Sequence, residues 1–147
     1  NCPFRGGTPA LPLIASFSKA MRLMNDSLDS RIKKCEKLKN ILLNGLSKYD
    51  VQINSNELCV PQIVNISLKH IKAETFIHEI EKYNIFISTN TACSSGEESV
   101  ILKEIYKDDK TLTTTSIRIS LSHLTTVDEI TTFLEAFDKV WNDLLNK

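Results

Sequence analysis

Three residues of this chain have types and surroundings that could do chemistry: Cys93, Arg118 and Thr8. Cys93 sits in Ser88-Thr89-Asn90-Thr91-Ala92-Cys93-Ser94-Ser95-Gly96, directly after the apolar pair Phe86-Ile87. Read alone, a thiol in a loop is an ordinary feature. Its neighbours, however, are small and cannot shield the sulfur, and their polarity predicts an accessible, mobile loop. Such a thiol can meet a substrate and then carry something outward, provided a cation or a helix N-terminus raises its thiolate fraction. A helix expected over 98–106 offers that N-terminus, while Glu97 and Glu98 oppose it electrostatically.

Arg118 lies in the alternating segment 116–122, where Ile117, Ile119 and Leu121 point one way and Ser116, Arg118, Ser120 and Ser122 the other. Most arginines are solvated surface charges. This one is expected on a hydroxyl-lined strand face, where its planar fork of donors suits bidentate binding of a carboxylate. Thr8 closes Arg5-Gly6-Gly7-Thr8 just before a helix. Glycines followed by a hydroxyl at a helix start can cradle phosphate, and a simple N-cap is the plainer alternative. His70, His78 and His123 are not spaced to form a local motif with Cys93: His78 falls on the polar side of its helix and the other two at strand ends.

The elements that must position these residues follow from periodicity. Apolar residues at Ile14, Phe17, Met21, Met24, Leu28, Ile32, Cys35, Leu38 and Leu42 recur every three or four positions, predicting one long amphipathic helix or two joined near Asn25-Asp26. Pro12 suits its first turn and Gly45 its C-terminal end. A helix this long cannot be buried by a small domain alone, so part of its apolar seam is expected to face something else. Strands are expected at 51–54, 63–68, 85–88 (short and buried) and 116–122, with helices at 74–83 and 98–106. A last helix opens with the capping box Thr126-Val127-Asp128-Glu129 and carries Ile130, Phe133, Leu134, Phe137, Trp141 and Leu144 on one side. The order α-β-β-α-β-α-β-α predicts an α+β fold, with helices packed on a mostly antiparallel sheet of three to four strands.

The whole-chain totals narrow the function. With 147 residues and 41% hydrophobic content, one domain with its own core is expected. The 18 basic and 18 acidic side chains cancel, which leaves neither the footprint of a nucleic-acid binder nor a polybasic membrane patch. Cys2, Cys35, Cys59 and Cys93 form no CxxC pair and no zinc-type spacing, and Cys35 falls on an apolar helical seam as a small buried hydrophobe. A reducing, cytoplasmic setting without structural disulfide or metal is expected. No apolar run is long enough to span a membrane. The opening Asn1-Cys2-Pro3 lacks an initiator methionine, from which a processed or truncated N-terminus is expected.

Four stretches in order carry a resemblance. RGGTPALPLIASFSKAM is similar to an Arg-x-Gly-Thr segment leading into a long helix, PQIVNISL to a Pro-Asn-Ile-x-Asn-x-Ser strand, STNTACSS to a Gly-Ser-Ala-Cys loop, and TSIRISLSHLTTVDEI to a Ser-x-Arg-x-Ser strand followed by Thr-x-x-Glu-Ile. Together, over about residues 5 to 145, they resemble the C-terminal part of pyridoxal-phosphate-dependent cysteine desulfurases of the NifS/IscS type, aminotransferase class V.

The resemblance implies the small C-terminal domain of fold-type I pyridoxal-phosphate enzymes. Residues 1–46 would form an active-site turn and connecting helix, and residues 47–147 the small domain. It implies that Cys93 attacks the sulfur of L-cysteine to give alanine and an enzyme persulfide, and that Arg118 clamps the substrate carboxylate. Thr8 would reach the cofactor phosphate of the neighbouring subunit in a homodimer. The persulfide would pass to a sulfur-acceptor protein for iron–sulfur clusters, thiolated tRNA or thiamine.

Departures are visible too. The Schiff-base lysine in its Ser-x-His-Lys setting, the stacking histidine and the pyridine-nitrogen aspartate have no counterpart in these residues, so this chain alone is expected neither to hold the cofactor covalently nor to turn over cysteine. Asn90-Thr91 replaces the usual Gly-Ser, the segment after Cys93 is shorter than in long-loop members, and Ser122 stands where glycine is common. Rival readings are a lyase acting on selenocysteine or cysteine sulfinate, a non-catalytic module that dimerises or docks through the long helix, and a thiol redox protein with Cys59 as a distant resolving partner.

Overall fold

The computed structural model describes residues 7–89, 100–107 and 109–146. Helix α1, Leu11–Leu46, is a single unbroken helix through Asn25-Asp26. Two strands follow, β1 Gln52–Ile53 and β2 Ile63–Ser67, then α2 Ala73–Glu81 and β3 Ser88–Thr89. The short helices α3 Val100–Tyr106 and α4 Lys110–Thr114 lead into β4 Ser116–Ser120, and α5 Val127–Leu145 ends the chain. The strands form one sheet in the order β1-β2-β4-β3 with every neighbouring pair antiparallel, so the expected α+β class holds.

The sheet is two-faced because its central strands alternate in phase. Val64 stands opposite Ile119 and Ile66 opposite Ile117, and all four are buried on one face. Against that face pack α2, α5 and the C-terminal part of α1, contributing Phe76 and Ile80, Phe133, Phe137 and Trp141, and Leu38, Leu42 and Leu46. Phe137 is the hub of the aromatics, with ring centroids 4.9 Å from Phe76, 4.8 Å from Tyr49 and 5.7 Å from Trp141. Phe137 stacks on Trp141 and meets Phe76 and Tyr49 at a tilt, so each contact adds ring geometry to buried area. The α5 capping box is formed in full: Thr126 Oγ1 accepts from the Glu129 backbone N–H, and the Thr126 N–H donates to Glu129 Oε2. Cys35 is buried on the α1 seam as its spacing implied.

Two details differ from the sequence reading, the strand at 85–88 and the helix α4, and two others extend it. Gly45 lies in the last turn of α1, at its C-terminal end as expected, with Ser47 as the C-cap, and it also packs so closely on α5 that an added Cβ would collide with the Leu134 side chain. The expected buried strand at 85–88 is reduced to β3 at 88–89, and Phe86 is 78% exposed, because only Ser88 and Thr89 pair with β4 and the apolar run before them passes along the sheet edge. An unexpected helix, α4, is built from threonines of poor helix propensity and is held by its cap: Asp109 Oδ1 accepts from the N–H groups of Thr111 and Leu112. Finally, the first half of α1 is exposed, with Phe17, Met21, Met24 and Leu28 forming an apolar stripe that no described residue covers, as the length of the seam implied.

Candidate active site

The face of the sheet opposite the core is polar, and it is where Arg118 stands. In the register of the sheet, Arg118 is the cross-strand partner of Asn65 on β2 and of Ser88 on β3. Asn54, just beyond β1, extends the row, its N–H donating to the Asn65 carbonyl at 2.9 Å. Asn54, Asn65, Arg118 and Ser88 therefore form one line across four chain segments, because residues paired in register share a face.

Next to that line lies a hydrogen-bonded cluster. Asn54 Nδ2 donates to Asn65 Oδ1 at 2.6 Å and to Ser67 Oγ at 2.8 Å. Ser116 Oγ donates to Asn65 Oδ1 at 2.9 Å, and Ser67 Oγ to the Leu112 carbonyl of α4 at 2.6 Å. Tyr106, the last residue of α3, donates its hydroxyl to Asn54 Oδ1 at 2.8 Å. Helices α3 and α4 thus cover one end of the polar face. Ser67 and Ser116 are buried beneath them, Arg118 is half-buried, and Ser120 is exposed.

Arg118 therefore stands where the covered part of the polar face gives way to its open part. Its Nε is shielded from solvent and has no hydrogen-bond partner among the described residues. A buried donor without a partner costs about 1–3 kcal/mol, so an arginine held this way is poised to accept an anionic partner. The guanidinium offers a fork for a carboxylate, and the neighbouring amide and hydroxyls are neutral, leaving its charge uncompensated by any ion pair among the described residues.

The other expected site residues fall elsewhere. Cys93 lies outside the described residues. Thr8 is exposed ahead of α1 and is not its N-cap. That position belongs to Ala10, which makes no side-chain cap bond. Gly7 has φ +95, a backbone conformation that favours glycine, and nothing lies within 4 Å of where a Cβ would project. No hydrogen bond among the described residues joins Thr8 to the Arg118 face. The contacts at the histidines do not involve Arg118: His70 Nε2 lies 2.8 Å from Asp50 Oδ2, His78 Nδ1 lies 3.6 Å from Glu81 Oε2, and the backbone carbonyl of His123 accepts from Lys34 Nζ. Lys69, then His70, draw the Asp50 carboxyl below its ordinary range by hydrogen bonding. No group of His, Cys, Asp and Glu among the described residues is placed to hold a metal.

Sequence reasoning missed Asn54, Asn65, Ser67 and Tyr106. The signal for two of them was present: Asn65 and Ser67 alternate with Val64 and Ile66 just as Arg118 and Ser116 alternate with the β4 isoleucines. Two strands with the same alternation, paired through their apolar faces, must also share their polar one.

Comparison with known proteins turns this geometry into a family. The model of aminotransferase class V matches residues 2–133. The chain belongs to that family. It is 30% identical over 146 residues to cysteine desulfurase IscS of Buchnera aphidicola, covering 97% of this chain and 35% of the relative. It is 31% identical over 130 residues to the mitochondrial cysteine desulfurase of Saccharomyces cerevisiae, covering 86% and 26%. Among solved structures, a NifS-like protein from Rickettsia africae superposes with a TM-score of 0.78 at 31% identity, covering 94% of this chain and 36% of that one. The chain spans about a third of the length of the curated relatives it matches. The class-V match and the NifS-like superposition agree with the resemblance seen in the four sequence stretches.

Proposed function

We propose that this chain is the C-terminal part of a pyridoxal-phosphate-dependent cysteine desulfurase, and that its polar sheet face binds the carboxylate of L-cysteine through Arg118. The observation that carries the reading is Arg118 itself, a half-buried guanidinium on a line of amide and hydroxyl side chains with its Nε unpartnered among the described residues. An amino-acid carboxylate supplies the charge and the paired acceptors that this fork lacks.

Cys93 is the nucleophile in this reading. Its thiolate attacks the substrate sulfur, an S–S bond forms, and the substrate C–S bond breaks with its electron pair left on carbon. Protonation there gives alanine, and the protein holds a persulfide. Chain length supports the pairing of roles: Ser88 is the cross-strand neighbour of Arg118, and a chain running from 88 to 93 spans at most about 18 Å. When bound, pyridoxal phosphate supplies the electron sink that makes this cleavage feasible. The accessible Thr8 hydroxyl beside Gly7 fits one ligand of its phosphate, contributed to the partner subunit of a homodimer. The Schiff-base lysine would come from outside these residues, so this chain by itself is inactive. The sulfur goes on to an acceptor protein in iron–sulfur cluster assembly or tRNA thiolation, in the cytoplasm.

The test is sulfide release from L-cysteine by the full-length protein in the presence of a reductant, with alanine measured in parallel. Wild type should yield both in equal amounts, Cys93→Ser should form no persulfide, and Arg118→Ala should raise KM steeply. Faster turnover of selenocysteine would reassign the substrate. Full activity in Cys93→Ser would favour a docking module over an enzyme.

A further inference from the structure

Arg118 has a flexible side chain, yet the polar face it stands on is held by a rigid frame, and the outermost member of that frame has no evident role in the chemistry. Tyr106 ends α3 and reaches across the polar face with its hydroxyl to Asn54 Oδ1. That bond fixes which end of the Asn54 amide points inward, because an oxygen that accepts from Tyr106 leaves Nδ2 to donate to Asn65 Oδ1 and Ser67 Oγ. Asn65 Oδ1 takes a second hydrogen bond from Ser116 Oγ, so its amide orientation is set in turn. Asn65 is the direct cross-strand neighbour of Arg118, with Cβ atoms in such pairs about 5 Å apart. The Tyr106 hydroxyl from one side, and Ser67 from the other, thus set the amide order up to the residue beside the guanidinium.

We propose that Tyr106, acting through Asn54 and Asn65, is a positioning residue for Arg118, holding the wall against which the guanidinium is presented to the substrate carboxylate. This rests on the carboxylate-binding reading of Arg118. A phenylalanine at 106 would keep the ring but remove the hydroxyl that holds the Asn54 oxygen outward. The Asn54 amide could then turn over, Asn65 Oδ1 would face the Asn54 oxygen instead of receiving its N–H₂, and Arg118 would lose a fixed neighbour. Ser67 adds to the frame from the other direction, tying it to the α4 carbonyl of Leu112. The cluster therefore joins α3, α4, β2 and β4 beside one charged side chain.

The experiment compares wild type, Tyr106→Phe and Asn54→Asp in the full-length holoenzyme. Both variants should raise KM for L-cysteine about three- to tenfold with kcat within about twofold, and the inhibition constant for L-alanine should rise by the same factor, since alanine shares the carboxylate and lacks the thiol. The double variant should be no worse than the poorer single one, because both changes break the same relay. Independently of turnover, hydrogen exchange at the Arg118 Nε–H, followed by NMR with labelled arginine, should quicken in both variants. Unchanged exchange together with unchanged KM overturns the inference, as does a fall in melting temperature with neither of these moving, which would make the relay merely structural. If wild type turns over no cysteine while the Arg118 exchange still responds to Tyr106→Phe, the desulfurase reading fails and the positioning role stands.

Discussion

Ser116 and Arg118 leave the same face of β4 one alternation apart, yet Ser116 is 2% exposed beneath α4 while Arg118 stands half-open at the rim. The strand thus passes from a roofed polar layer to an accessible one within two residues, and the charged residue sits at the boundary. On the proposed carboxylate-binding reading, such a placement trades stability for binding. The shielded Nε of Arg118, unpartnered among the described residues, predicts that Arg118→Met keeps the stem packing and removes an unsatisfied donor. The melting temperature should be unchanged or higher by about 3 °C, while, if the proposed function holds, KM of the full-length protein for L-cysteine rises on the order of a hundredfold. A fall in melting temperature of that size would mean that the guanidinium has a stabilising partner in the folded protein.

Gly45 and Leu134 set the distance between α1 and α5. Alanine at 45 gains about 1 kcal/mol of helix propensity, but its Cβ would lie 2.4 Å from Leu134 Cδ1, 2.7 Å from Cδ2 and 3.1 Å from Cγ. Three atoms of one side chain must move together, and overpacking of this kind costs about 1–3 kcal/mol, so the clash wins. Gly45→Ala should lower stability by about 1 kcal/mol in urea denaturation. In a Leu134→Ala background the same substitution should become stabilising, and a cycle showing no such change of sign would contradict the close approach.

How far the sequence discloses this fold depends on the range of the forces involved. The capping box at Thr126 and Glu129, the apolar spacing of α5 and the alternation of β4 are written within a few residues, and each appears in the structure. The α+β class and the location of Arg118 on a polar strand face follow from them. What local pattern cannot show is meeting in space. Gly45 reads only as a helix end until Leu134 arrives from a distant part of the chain. The 85–88 run reads as buried because it is apolar, although edge pairing leaves Phe86 in solvent. Asn54, Asn65 and Tyr106 belong to three separate elements and become a cluster only when β1, β2 and α3 converge. The arginine was legible, but its frame was not.

The exposed half of α1 predicts association. Phe17, Met21, Met24 and Leu28 are 67%, 58%, 46% and 38% exposed, spaced so that they share one side of the helix. A continuous apolar stripe of this kind marks a surface that packs on other polypeptide. The 147-residue chain should self-associate in sedimentation velocity, and Phe17→Asp with Met21→Lys should shift it towards the monomer without loss of helical circular dichroism. These positions touch no core residue, so the effect on unfolding free energy should stay within about 0.5 kcal/mol. A wild-type chain that remains monomeric at high concentration would contradict the stripe's role.

Asp138 gives the stability of the fold a pH dependence. Its Oδ1 accepts from the Tyr49 hydroxyl and from Lys48 Nζ, and these bonds, Tyr49's first, hold its carboxyl below the ordinary range. A carboxyl depressed in the folded state adds stability above its unfolded value, and that contribution disappears as pH falls through the folded value. Asp50, lowered first by Lys69 and then by His70, adds in the same sense. Tyr49 works at the other end of the scale: burial first, then its bond to Asp138, raises its hydroxyl, so its contribution is present below the ordinary tyrosine value and lost as pH rises through the raised one. Both carboxylates are solvent-exposed, so the acid effect is small and screened by salt. Urea unfolding from acid to neutral pH should therefore show a shallow acid limb that flattens in Asp138→Asn and more so when Asp50→Asn is added. With unfolding followed into alkaline pH as well, Tyr49→Phe should flatten the acid limb and also remove the alkaline decline attributed to Tyr49, whereas Asp138→Asn should shift that decline only slightly. An acid limb in all three variants identical to that of wild type would show that neither carboxylate is linked to folding.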